Sequence, residues 1–208
     1  MPDLFDAVVI GAGIAGLSVT AALADSGLEV LCLEARDRVG GRMLSSDDGS
    51  LDLGATWLWP GEHRARQLAG RLAIGILKQR IDGDALYEDA AAVHRLRGNP
   101  IGAPAYRYAN GAQSLATALA ATLPAGMIRL RAPASTISRD GRSLRVGAAG
   151  VEARATHVVL AVPPSLAGDE RPLRAGAARS PDPVGAGHAG MDGRGQQGRR
   201  AVRECVLA

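Results

Sequence analysis

The stretch VVIGAGIAGLS, Val8–Ser18, decides the reading of this chain. Three apolar β-branched residues run into Gly11-x-Gly13-x-x-Gly16, and helix-forming residues follow as far as Asp25. In such a turn the first glycine permits a tight bend and the second lets the backbone approach a pyrophosphate. The third lets the helix pack close to the strand. The helix start then offers unpaired N–H groups and partial positive charge to an anion. The glycines alone are a weak signal, but here they lie between a predicted strand, Phe5–Ile10, and a predicted helix, Ile14–Asp25.

Working outward, Ser26-Gly27 stops the helix, and EVLCLE, Glu29–Glu34, reads as a second strand buried on both faces. Strand, helix and strand fall within about 30 residues, the size of a βαβ unit. Glu34 ends the second strand about 20 residues after the turn, where a carboxylate can accept hydrogen bonds from ribose hydroxyls. That leaves NAD and FAD both open, since each carries an adenosine ribose. NADP fits less well, because Glu34 would repel a 2′-phosphate. The loop that follows sets Arg36, Arg38 and Arg42 around Gly40-Gly41. Exposed backbone N–H groups and a planar guanidinium there suit phosphate or ribose oxygens.

Beyond this loop the pattern predicts helices over 62–72 and 112–123, with mixed short runs and Gly/Pro breaks over 74–109. Met127–Leu130, Ser135–Ser138, Ser143–Val146 and Val151–Ala155 alternate like short antiparallel strands about the turn Asp140-Gly141. Thr156–Pro164 reads as a separate buried strand.

Composition narrows the function classes. In 208 residues, 47% hydrophobic and 22% charged content suits a globular chain with a real core. Cys32 and Cys205 lack metal-type spacing and His63, His94, His157 and His188 stand singly, so neither a disulfide framework nor a metal site is expected. Cys32 fits a small apolar residue in a buried strand. No signal peptide precedes the first strand and no apolar run spans a bilayer, which points to the cytoplasm.

Three motifs in order, GAGIAGL, LEARDRVGGR and LDLGATWLW, resemble the flavin-containing amine oxidases, the monoamine and polyamine oxidase group. YRYANGAQSLATALA, IRLRAPASTISRDG and VVLAVPP are similar to later segments of that family, so the resemblance runs from Phe5 to about Ala167. It implies an α/β fold: a Rossmann-like FAD-binding domain, a βαβ core with extra antiparallel strands, plus a fragment of a substrate domain. The expected division is 1–74 and 110–167 for the FAD-binding domain, 75–109 for part of a substrate domain, and 168–208 for a tail.

The resemblance implies FAD as cofactor and a small amine as substrate, with oxidation of a C–N bond and flavin as hydride acceptor. Gly11, Gly13 and Gly16, with Ala12, Ile14 and Ala15 in the same turn, would face the pyrophosphate. Glu34 would hold the ribose, with Ala35 and Arg36 beside it, and Gly41 and Arg42 would meet the diphosphate region. Gly54, Ala55, Thr56 and Trp57 would approach the ring-bearing half. Ala134 stands where the family often has a valine whose main chain meets adenine, and Asn110 replaces one glycine of the family's Gly-Gly pair. Trp57 and Trp59 also fit a plain reading as core aromatics. No catalytic residue is assigned, and Lys78, the one lysine, lies outside the matching motifs. Alternatives are a related flavoprotein such as a carotenoid desaturase or protoporphyrinogen oxidase, an NAD-linked dehydrogenase, and a non-catalytic nucleotide-binding remnant.

After Leu166 Gly, Ala, Arg and Pro dominate and apolar periodicity ends. The expectation is a disordered or out-of-frame tail. Arg194, Arg199, Arg200 and Arg203 have no aromatic neighbours to stack bases, so no nucleic-acid partner is expected. Met191 is encoded by ATG and the codon of Asp192 begins with G, so a frame read one nucleotide later places a tryptophan there. Codon choices around it permit a string similar to the family's continuation, which points to a frame slip just beyond Leu166 and a truncated, inactive product.

Overall fold

The computed structural model describes residues 4–100, 102–164 and 174–175. These fall into two compact units, Met1–Gly41 with Leu119–Ala208 and Arg42–Ala118. The second unit is wider than the 75–109 segment set apart by sequence, because residues 42–58 hydrogen-bond to Tyr106 and to the residues that open the third helix.

In the first unit, β1 (Leu4–Ile10), α1 (Ile14–Asp25) and β2 (Val30–Leu33) form the expected βαβ crossover. β7 (Ile128–Arg129), β8 (Ala134–Asp140), β9 (Ser143–Ala148), β10 (Val151–Leu160) and β11 (Arg174–Ala175) complete a seven-stranded sheet of order β11-β8-β9-β10-β1-β2-β7. β10, β1, β2 and β7 run parallel, while β8, β9 and β10 pair antiparallel as an extension. Val8, Ile10, Leu31, Leu33, Val146 and Val158 share one buried cluster. The four residues of β2 and the last four of β1 are all buried, as continuous apolar strands require. α1 buries Gly16, Leu17, Thr20 and Ala21, one face at helical spacing. It ends as expected at Ser26-Gly27, where the Gly27 N–H donates to Ala24 O and the Leu28 N–H to Leu23 O.

Two strand expectations are corrected. Met127–Leu130 gives β7, which pairs parallel with β2 at the sheet edge rather than antiparallel. Val151–Ala155 and Thr156–Pro164, in turn, are not two strands but one, β10, ending at Leu160. No turn former separates Ala155 from Thr156, so the chain stays extended. Its first half pairs with β9 while residues 154–160 pair with β1.

In the second unit, α2 (His63–Arg71) matches the predicted helix, and residues 74–109 resolve into two small antiparallel pairs. These are β3 (Ile76–Lys78) with β6 (Tyr106–Tyr108), and β4 (Ala85–Glu88) with β5 (Val93–Leu96). α3 (Gln113–Ala121) begins in this unit. Leu77, Leu86 and Val93 on these small strands are exposed apolar residues, as are Leu51 and Leu53 in the segment before α2. Among the described residues, no helix is long and apolar enough to cross a membrane. The tail expectation lies outside the described residues apart from 174–175.

Candidate dinucleotide site

The first unit builds a crevice from the three glycines, and each glycine is there for a different reason. The Gly11 N–H donates to Leu33 O at 2.8 Å, so the turn begins as the last rung of the parallel ladder. Gly11 has φ +103, and a Cβ on it would sit 2.8 Å from Ala161 O. A Cβ on Gly16 would strike Gly11 O. The fold itself therefore requires both. Gly13 is different. Its backbone is extended (φ −69, ψ 173), and a Cβ there would meet nothing within 4 Å. Nothing within the protein demands glycine at that position, whereas the close approach of a pyrophosphate does. Gly13 also caps α1 with no side-chain hydrogen bond, and no acidic residue occupies the first turn. Beyond Gly13, no acidic side chain of the first turn answers the helix N-terminus, which fits a phosphate.

Glu34 closes the crevice from the β2 side. It is 5% exposed. Its Oε2 accepts the Ala12 N–H at 2.7 Å and its Oε1 the Arg36 N–H at 2.9 Å. These are charge-assisted bonds that fix the carboxylate against the turn. The chain after β7 then passes along the same edge: the Ala132 N–H donates to Glu34 O and the Arg131 N–H to Arg36 O, both at 2.8 Å. Arg131 takes the left-handed region at φ 55, uncommon for a residue with a Cβ. This bend leads the chain into β8, whose first residue, Ala134, precedes a register shift before Thr136. Ala134 is thereby delivered at a bulge rather than inside a regular ladder.

The arginine loop closes back on the turn. The Gly40 N–H donates to Ala12 O at 2.8 Å, Gly13 and Gly40 form a parallel bridge, and a Cβ on Gly41 would lie 3.3 Å from the Gly13 Cα. The two glycine motifs are in backbone contact. Arg38 donates to Val39 O and Gly41 O, so its guanidinium braces the loop's own carbonyls. Beneath the turn, Cys32 is fully buried. Burial pushes its thiol up to about 11, the Thr20 hydroxyl partly opposing this and the Glu34 charge adding to it.

Arg42 and Gly54–Trp57 belong to the second unit, where they lie on one ribbon. The Ala55 N–H donates to Arg42 O at 3.0 Å, the Leu53 N–H to Leu44 O at 2.8 Å, and Ser45 bridges Asp52 antiparallel. A Cβ on Gly54 would collide with Arg42 O, so glycine is obligatory for this pairing. At the ribbon's turn, hydrogen bonds from the Ser46 hydroxyl and then from Ser50 hold the Asp48 carboxyl down to about 2. Arg42, Gly54, Ala55 and Trp57 are exposed. The core reading of the tryptophans is corrected: Trp57 is 51% and Trp59 45% exposed, on either side of buried Leu58. Leu58 turns inward where it bridges Tyr106, and the tryptophans on either side of it turn out. The rings of Trp57 and Trp59 lie 6.4 Å apart at 33°.

Sequence reasoning missed Ser45 and Asp52, which tie this ribbon to the start of α3. Asn110, which stands in place of a glycine, still meets the ribbon closely, because a Cβ on Gly49 would lie 2.6 Å from Asn110 O.

Comparison with known proteins gives two family matches. Residues 9–72 match the NAD(P)-binding Rossmann-like domain, and residues 78–190 match the flavin containing amine oxidoreductase family. The flavin-containing amine oxidase of Oncorhynchus mykiss is 36% identical over 99 residues, 46% of this chain and 18% of that protein. Amine oxidase B of Homo sapiens is 41% identical over 81 residues, 38% of this chain and 16% of that protein. The putrescine oxidase of Kocuria rosea is 38% identical over 84 residues, 39% and 18% of the two chains. Among solved structures, wild-type putrescine oxidase bound to putrescine superposes with TM-score 0.70 at 20% identity over 79% of this chain and 59% of that one. Cyclohexylamine oxidase from Brevibacterium oxydans gives 0.71 at 18% identity over 78% and 59%. These structural likenesses speak for the fold. The matched stretch spans less than a fifth of these curated relatives.

Proposed function

Because the chain belongs to the flavin containing amine oxidoreductase family, we propose that it holds FAD as the cofactor-binding part of an enzyme that oxidises a C–N bond of an amine. When bound, the flavin supplies the hydride acceptor for that oxidation. The chain's own residues supply the grip. Gly11–Gly16 admit the pyrophosphate to the uncapped start of α1. Glu34 accepts hydrogen bonds from the adenosine ribose, with Ala35 and Arg36 beside it, and main-chain atoms at Ala134 meet the adenine. Gly41 and Arg42 serve the diphosphate, Arg42 with its exposed guanidinium. Gly54, Ala55, Thr56 and Trp57 serve the ring-bearing half. The buried Glu34 carboxylate opposes a 2′-phosphate, which disfavours NADP.

The observation that carries this reading is Gly13, a glycine that neither the backbone conformation nor any neighbouring atom explains. No described residue receives a chemical step, and Lys78 is exposed on β3. A primary amine is the substrate class, putrescine being the first to try. An absorbance spectrum of the purified chain with FAD, before and after anaerobic putrescine, tests the reading. We expect flavin bands that stay with the protein through gel filtration. Bleaching by putrescine would extend the role from cofactor binding to turnover, and failure to retain any flavin would overturn the reading.

A further inference from the structure

We infer that Asp52 is a positioning residue for the ring-bearing half of the cofactor, acting through the ribbon that carries Arg42 and Gly54–Trp57. This rests on the function proposed above. The Asp52 Oδ1 accepts the Ala112 N–H at 2.6 Å and the Ser45 hydroxyl at 3.0 Å. The Ser45 hydroxyl oxygen accepts the Gln113 N–H at 3.1 Å, and the Ser45 N–H donates to Gln113 Oε1 at 3.1 Å. This is a helix cap built from residues 60 to 68 positions away rather than from the preceding turn. It answers N–H groups that α3 would otherwise leave unpaired, and it places a carboxylate at the positive end of the helix.

The clamp fits sterically on both sides. Gly111 has φ +76, and a Cβ on it would strike the Ser45 hydroxyl, while Gly49 faces Asn110 O. Ribbon and helix entry therefore meet at backbone distance, and the ribbon has no freedom to slide. From Asp52 the ladder runs straight to the cofactor residues. Leu53 pairs with Leu44, Ala55 with Arg42, and Gly54 is pressed against the Arg42 carbonyl. Releasing Asp52 frees the end of the ladder on which Arg42 and Gly54–Trp57 sit. The adenosine-binding residues, from Gly11 to Glu34, belong to the other unit and make none of these bonds.

The test measures ADP and FAD binding to the full chain by calorimetric titration, in wild type, Asp52→Ala, Asp52→Asn and Ser45→Ala. Wild type should bind FAD more tightly than ADP. Asp52→Ala should bind FAD about tenfold more weakly, the loss expected for one cap, and ADP within about twofold of wild type. Asp52→Asn keeps an oxygen at the Oδ1 position and should restore most of the FAD affinity. Ser45→Ala, a milder lesion, should move FAD in the same direction by about threefold. FAD affinity unchanged in both Asp52→Ala and Ser45→Ala would overturn the role of Asp52 while leaving the flavin reading intact. Parallel loss of ADP and FAD would make Asp52 a stability residue only, and that too overturns the inference. Wild type binding neither ligand would sink the proposed function itself and the inference with it.

Discussion

The carboxylate of Glu34 is bonded to the backbone N–H of Ala12 at 2.7 Å, which ties the end of β2 to the glycine turn at the end of β1. Two sequence features some 20 residues apart thus form one object. The same side chain that would bind a ribose also shapes the turn that would bind the phosphates.

This relationship makes Glu34→Ala costly twice. The buried Ala12 N–H loses its acceptor, worth about 1–3 kcal/mol of stability, whereas the Arg36 N–H lies at an exposed residue that water can reach. ADP binding should weaken as well. Thermal melts with and without ADP check both effects, and a variant that ADP still stabilises as fully as wild type would remove Glu34 from the site.

The glycines separate folding from binding. Gly16→Ala drives a methyl group into the Gly11 carbonyl, and should cost about 3 kcal/mol, the upper end for overpacking. Gly13→Ala meets open space and should cost no more than about 1 kcal/mol. It should nevertheless reduce FAD affinity, because the added methyl stands where the pyrophosphate would approach. Chemical denaturation paired with FAD titration tests the contrast. A Gly13→Ala variant that binds FAD normally would contradict the crevice assignment.

Cys32 provides a pH prediction. Burial raises its folded thiol from 9.0 to about 11. A raised folded pKa means that the stabilisation is complete below 9 and is lost as pH climbs towards 11, because the unfolded thiol ionises first. In a Cys205→Ser background, a thiol reagent at pH 8 should leave the native chain unmodified and label one thiol after denaturation. Stability should then fall between pH 9 and 11, and this part of the fall should vanish in Cys32→Ala. Prompt labelling of the native chain would show that Cys32 is not sealed beneath the turn.

What the sequence disclosed and what it hid follow physical range. The turn, α1 and Glu34 were legible because each depends on neighbours within a few residues or on one βαβ spacing. The Schellman-type stop at Ser26-Gly27 is local in the same sense. β10 was misread as two strands because partner changes leave no local mark: pairing with β9 ends on one edge at Ala155 just after pairing with β1 has begun on the other at Arg154. Trp57 and Trp59 look like core residues by type, yet the facing strand selects Leu58 instead. The Asp52–Ser45 clamp was invisible because its partners lie 60 residues or more along the chain. Arg131 carries no glycine to betray its left-handed backbone.

The most direct test of the account is a competition titration of the purified chain with FAD, ADP and FMN. If the adenosine diphosphate half is what the crevice grips, FAD and ADP must bind and exclude each other. FMN, which lacks that half, must bind far more weakly than FAD. FMN binding as tightly as FAD, or FAD that ADP cannot displace, would contradict it.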